Sequence, residues 1–238
     1  IMEEMLAATD NIRTLAYRQK KWERVNGEMF YENSVFKMNR NPLKVYMFQY
    51  APRENLEVIY KEGWNDGEAK VNAGKLIPNL NLDIDGGRMR ENQHHNITAV
   101  GFDQLAYIVR TLKKKYGEEA KDMVSYAGKV TWDGKTCHKI QMENPNFGWK
   151  TYTVKAGQDL IPIAKKYDLS EHMILEGNSS VDDYDDVSAG QKIRIPTDYA
   201  KKTTFLIDTK TMLPVKTVVY DDKGLYARYE FFNLWVNP

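Results

Sequence analysis

A single cysteine, Cys137, in 238 residues excludes an intrachain disulfide and any cysteine zinc cluster. It neither supports nor excludes an oxidising compartment. Long apolar runs are absent. Pieces such as residues 105–109 fall far short of the ~20 residues that a membrane-spanning helix needs. Charge of one sign is absent too: 34 basic side chains oppose 33 acidic ones, a net charge of +1. Net charge therefore suggests no strongly electrostatic partner, and nucleic acid is not expected. There is no phosphate-binding loop, dinucleotide fingerprint, Gly-x-Ser-x-Gly elbow or HExxH spacing. The chain begins at Ile1 rather than Met. This reads as a processed product and is compatible with a signal peptide or lipid anchor upstream of Ile1.

Hydrophobic residues at 42% and charged residues at 28% are ordinary for a folded globular chain. Aromatics reach 12%, with fifteen tyrosines, and favour sheet. Met2, Met5, Leu6, Thr9 and Ile12 share one face of a short helix over residues 1–13. Long alternating runs follow at 15–25, 28–38, 44–50 and 56–61. They are punctuated by Asn26-Gly27, Asn41-Pro42, Ala51-Pro52 and Asn65-Asp66-Gly67. Asn-Gly suits a type I′ hairpin turn because both central residues need positive φ. Residues 78–98 are polar and turn-rich. Phe102, Leu105, Ala106, Val109 and Leu112 define an amphipathic helix that Gly117 stops, with Lys113, Lys114 and Lys115 as its solvated end. Strands resume at 122–131 and 135–143, and again at 203–208, 214–220 and 225–235. Consecutive long antiparallel strands predict a strongly curved sheet.

Residues 150–198 differ from their flanks. Two short strands, 152–155 and 192–195, enclose two short helices. Leu160, Ile163, Ala164 and Tyr167 line one helix behind Asp159 as N-cap, and Ser170 opens the second. The segment is net acidic and the remainder net basic. Residues 152–160 (Tyr-Thr-Val-Lys-Ala-Gly-Gln-Asp-Leu), Ile163-Ala164, Tyr167, Asn178 and residues 190–196 (Gly-Gln-Lys-Ile-Arg-Ile-Pro) together resemble a LysM domain. That resemblance implies a βααβ fold binding N-acetylglucosamine polymers, peptidoglycan or chitin. It places glycan contacts on Gly157, Gln158, Asp159 and Leu160 in the first loop, and on Asn178, Ser179, Ser180 and Val181 in the second. Two departures stand out. Gly-Gln-Asp-Leu replaces the usual Gly-Asp-Thr/Ser-Leu, and the second loop runs into Asp182, Asp183, Asp185 and Asp186. One small groove implies weak affinity, ~10⁻³ to 10⁻⁵ M.

The expected organisation is therefore a host domain, 1–149 and 199–238, interrupted by a module at 150–198. Adjacent module termini allow insertion at a surface turn. The host's order of elements, with residues 41–46, 58–60, 65–67, 205–208, 213–214 and 220–224, resembles the LolA and LolB half-barrels. The fold class is then α+β: a curved antiparallel half-barrel with helices on its concave side, plus the inserted βααβ module. The resemblance implies an apolar concave face able to hold a lipid, lipoprotein or other apolar ligand. Trp22, Phe30, Phe36, Met38, Met47, Phe48 and Trp235 are its candidates; aromatics filling a core would read the same way.

Other chemistry is thin. His94 and His95 read as an exposed loop pair, since adjacent strand positions diverge and cannot readily chelate one ion. Cys137 reads as a buried strand residue. Asp83 and Asp85 beside Gly86-Gly87 lack the later glutamate of a calcium loop. No catalytic, metal or cofactor residues are assigned. The sequence thus points to a non-enzymatic binding protein of the bacterial periplasm or outer envelope, with peptidoglycan or N-acetylglucosamine oligomers as partner. The alternatives are an interaction scaffold with a filled core, or a wall-active enzyme with paired carboxylates.

Overall fold

The computed structural model describes residues 1–74 and 77–238. A helix, α1 (Met2–Asp10), leads into β1 (Thr14–Val25), β2 (Glu28–Asn39), β3 (Lys44–Ala51), β4 (Leu56–Lys61), β5 (Ala69–Asn72) and β6 (Leu80–Leu82). Three helices follow: α2 (Gly87–Arg90), α3 (Asp103–Tyr116) and α4 (Glu119–Asp122). Then come β7 (Val124–Trp132), β8 (Lys135–Glu143), β9 (Trp149–Thr153), α5 (Leu160–Tyr167), α6 (Glu171–Glu176) and β10 (Lys192–Pro196). The chain ends with β11 (Lys202–Asp208), β12 (Pro214–Asp221) and β13 (Gly224–Val236).

Eleven strands form one antiparallel sheet in the order β6-β5-β4-β3-β2-β1-β13-β12-β11-β8-β7, and β9 and β10 pair separately. Short turns set the hairpins. Asn26 and Gly27 both take positive φ, 52° and 83°, and join β1 to β2 as a primed turn requires. β8 pairs directly with β11, Glu143 facing Lys202. The intervening residues therefore leave the sheet at one hairpin end and return to it.

One face of the sheet carries the helices. α1 touches both halves of the sheet: Ala8 packs with the cluster of Tyr17, Phe36, Met38, Met47, Phe102 and Phe231, while Met5 and Leu6 pack with Ala106, Val109, Ile140 and Phe205. A sheet whose distant strands meet the same short helix must curl around it, the half-barrel arrangement expected from the sequence. Gly101, at φ +78°, lets the chain lie flat on this core; a Cβ there would meet Met38 Sδ at 2.8 Å. Its N–H donates to the Tyr17 hydroxyl at 2.9 Å.

The strand register corrects part of the predicted apolar face. Tyr17 faces Phe36, Leu15 faces Met38 and Phe36 faces Met47, so these residues share the helix-covered side. Trp22 is one step out of phase with Tyr17 and faces Tyr31. It lies on the opposite side, with the Arg228 guanidinium 3.6 Å above its ring. Phe48 pairs with Val35 on that same outer side. A register shift between Ala16 and Arg18 puts Trp235 opposite Ala16, where it is 67% exposed. The physical reason is that the inward positions after Tyr17 are polar, namely Gln19, Lys21 and Glu23. Alternation in β1 therefore inverts, and apolarity no longer marks the inner face.

Candidate functional site

The inserted segment builds its own core from Val154, Leu160, Ile163, Ala164, Leu169, Ile174, Ile193 and Ile195. Asp159 caps α5 by accepting from the Ile161 N–H at 2.9 Å, and Ser170 Oγ caps α6 through the Met173 N–H at 3.3 Å. The two loops expected to hold sugar lie side by side, since the Leu160 N–H donates to the Tyr184 carbonyl at 2.8 Å.

The eight predicted glycan residues divide into three groups. Gly157, Ser179 and Ser180 are exposed. Gln158, Asp159 and Asn178 spend their side chains inside the module. Gln158 Oε1 accepts from the Tyr152 hydroxyl at 2.7 Å and the Lys155 N–H at 3.1 Å. Asn178 donates to the carbonyls of Ile174 and Arg194 and accepts from the Arg194 N–H at 2.8 Å. Leu160 and Val181 are buried, at 0% and 6% exposure, so their side chains form core rather than a sugar floor. The acidic residues of the second loop partly fold it: Asp186 accepts from the Asp182 N–H at 3.0 Å.

The host contributes a cavity of about 550 Å³ at the β2–β6 end of the inner face. Phe30, Met47, Leu56, Val58, Val71 and Met89 supply apolar wall; Glu32, Gln49 and Gln93 add half-buried or buried polar groups, and Arg53, Arg88 and Glu91 add charged ones. Arg53 and Glu91 pair across it at 2.7 Å. Of the predicted apolar-face residues, Phe30 and Met47 reach this cavity. Phe36 and Met38 are packed in the core, Phe36 stacked on Tyr17 at 5.3 Å.

The module is locked onto the host. Met173 of α6 packs with Val219, Tyr226 and Ala227. Arg24 of β1 meets both oxygens of Glu176, at 3.0 and 3.1 Å, and also pairs with Asp221. Arg90 donates to Glu171 at 2.8 Å and lies 4.5 Å over the Tyr184 ring. Ser170 and Tyr226 share a hydrogen bond of 2.9 Å.

His94 is fully buried at this junction, correcting its expected exposure. Its ring stacks on His172 at 4.5 Å and on Tyr226 at 4.1 Å. Nε2 donates to the Arg24 carbonyl at 2.7 Å, and the backbone N–H donates to Glu23 at 3.1 Å. His95 is half-buried and bonds the Tyr199 hydroxyl at 2.7 Å. Burial holds the His94 imidazole well below the usual histidine range, partly offset by the Glu23 carboxylate. Burial likewise lowers His172, against the pull of Glu176 and Glu23. For Glu23, burial alone would raise the carboxyl. Lys21, His94, His95 and the Tyr229 hydroxyl outweigh it and hold the group far below the carboxylate range. Nothing in the spacing of these residues signals the network, because its members come from β1, residues 94–95, α6 and β13.

Lys113, Lys114 and Lys115 are exposed at the end of α3, as expected; Lys115 also pairs with the nearly buried Asp198 at 2.7 Å and donates to the Thr197 carbonyl. Cys137 is fully buried, and burial together with Asp208 raises its thiol. Among the described residues no group of three or more His, Cys, Asp or Glu is placed to hold a metal, and no helix is long and apolar enough to cross a membrane.

Fold and junction define a class: an open antiparallel half-barrel bearing a docked LysM domain, the LysM family model matching residues 152–196. The chain belongs to the family described as Protein of unknown function (DUF1571), whose model matches residues 15–156. The sheet is completed by β11–β13, beyond that match. No curated protein matches the chain. Solved structures with similar folds include lipoprotein LppX of Mycobacterium tuberculosis, at 15% identity and TM-score 0.45, covering 100% of this chain and 93% of that one. LprF from Mycobacterium bovis shows 12% identity and TM-score 0.46, covering 100% and 91%. A putative outer membrane lipoprotein-sorting protein domain from Vibrio parahaemolyticus shows 7% identity and TM-score 0.36, covering 99% and 90%. At such scores the likeness fixes no ligand.

Proposed function

We propose that the chain is a binding protein of the bacterial cell envelope. Its LysM domain holds N-acetylglucosamine-containing peptidoglycan, and its half-barrel takes the acyl part of a lipid or lipoprotein. The observation that carries the second half is the cavity of about 550 Å³, lined by Phe30, Met47, Leu56, Val58, Val71 and Met89 together with polar and charged groups. Its size lies within the ~300–1,000 Å³ of small-molecule sites. The glycan half rests on the LysM match and on the exposed loop positions Gly157, Ser179 and Ser180.

Two assays on the full chain test the reading. Sedimentation with insoluble peptidoglycan should be competed by N-acetylglucosamine oligomers and lost when Ser179 and Ser180 are both replaced by tryptophan. A fluorescent fatty acid should bind the native chain and be excluded by Leu56→Trp, which fills the cavity. Sedimentation that survives both loop replacements and competitor would remove the glycan half. Equal fatty-acid binding by Leu56→Trp would remove the lipid half. The scaffold reading gains from one feature: Tyr17, Phe36, Phe102 and Phe231 fill the middle of the inner face. A chain that takes up no apolar probe would favour it.

A further inference from the structure

Docking the module creates a second concavity that neither half has alone. A cleft of about 480 Å³ lies between α5 of the module and the host segment from Asp85 to Tyr107. One wall is the face of α5 carrying Ile161 and Lys165, four residues apart and so aligned along the helix, with Asp168 just beyond its end. The other wall carries His95, Asn96, Ala99 and Gln104. Tyr107 and Asp168 are hydrogen-bonded across one end and hold the walls together.

The cleft adjoins both glycan loops. Ile161 follows directly on the Gly157–Leu160 loop, and its N–H is the one Asp159 caps. Arg90 packs on Tyr184 of the second loop, and its other partners, Asp85 and Glu171, line the cleft. The lining is an alternation of amide, carboxylate and ammonium groups with small apolar patches. That is the chemistry a sugar ring with an N-acetyl group matches: hydroxyls and amide to the polar groups, methyl and ring carbons to Ile161 and Ala99. A free acyl chain would leave the polar groups without partners.

We propose that this junction cleft is a second saccharide subsite, which continues the LysM groove. The intact chain then reads a longer N-acetylglucosamine-containing glycan than the module can read alone. The proposal rests on the glycan half of the proposed function.

Titration calorimetry of the full chain with an N-acetylglucosamine trimer and hexamer tests it. The hexamer should bind roughly tenfold more tightly, or ~1.4 kcal/mol. Part of any gain is statistical, since a longer oligomer offers more registers, so the variants decide. Ala99→Trp, which obstructs the cleft, should lower hexamer affinity to the trimer's and leave the trimer unchanged. Gln104→Leu, which keeps the volume and removes the amide, should lower hexamer affinity alone. A length advantage that survives both variants overturns the subsite while leaving LysM binding intact. Absence of binding by either oligomer overturns the glycan reading and the subsite together. Circular dichroism of each variant separates lost contacts from lost fold.

Discussion

His94 of the host and His172 of the module lie face to face, ring centroids 4.5 Å apart and planes 20° from parallel. This contact joins one buried residue from each part and shows how the LysM domain is held. It is no bead on a flexible tether, because side chains buried on both sides pack against each other and pair across the junction. A glycan held by the module as proposed would be presented in a set orientation to the half-barrel.

The junction should weaken in acid. His94 and His172 are neutral in the fold because burial lowers both. In the unfolded chain each takes up a proton below about pH 6.5. The unfolded state then binds more protons, so stability falls as pH drops below that point toward the folded values. The depressed carboxyls of Glu23 and Glu176 add a further loss below about pH 4.5. Thermal melts from pH 7.5 to 5 should show a falling midpoint in the native chain and a flatter profile in His172→Phe. A midpoint indifferent to pH in this interval would contradict the buried neutral pair.

Arg24→Ala should be severely destabilising. It leaves Glu176 and Asp221 buried without their shared partner, and removing one member of such a pair costs ~3–5 kcal/mol. Urea unfolding measures the loss. Limited proteolysis should cut first in the connections near 144–148 and 197–201. Replacing Arg24, Glu176 and Asp221 together by apolar residues should recover much of the stability.

Gly177→Ala should disturb Trp149. A Cβ at Gly177 would sit 2.6 Å from the indole ring, which also donates to Asp222 at 2.9 Å. Overpacking of this kind costs ~1–3 kcal/mol. The tryptophan emission spectrum should shift with the drop in stability; an unchanged spectrum would mean that the ring has room to move.

Met173→Ala should cost ~2–5 kcal/mol, as for other deletions of large buried side chains. Met173 is 1% exposed and belongs to the junction cluster, not to the module's own core. The isolated module, residues 150–198, should therefore be indifferent to the change while the full chain is destabilised. Equal effects in both would place Met173 in the module's core instead.

The module was legible almost in full because its signals are local. Helix caps at Asp159 and Ser170, the apolar spacing of Leu160, Ile163 and Ala164, and the closing Ile193–Ile195 strand all act within a few residues. Its glycan loops were legible as positions but not as surfaces. Whether Leu160 or Val181 points to sugar or to core depends on packing that alternation does not encode. The host's strands and turns were also readable, Asn26-Gly27 above all, because a primed turn needs its own residue types.

Amino-acid order alone determined where the long strands, their turns and the inserted module lie, since these follow from hydrophobic period, turn chemistry and capping over short stretches; it missed β6 and α2, which are too short to carry a period, in the turn-rich segment 78–98. Tertiary structure alone decided which face of β1 is inner, that His94 is buried, and that a cleft opens along α5. Those outcomes depend on pairings across the chain, such as Tyr229 with Glu23, 206 residues apart at 2.7 Å, and His94 with Arg24, 70 apart. A buried polar group is stable only where its partner arrives, and no local pattern announces a partner that distant.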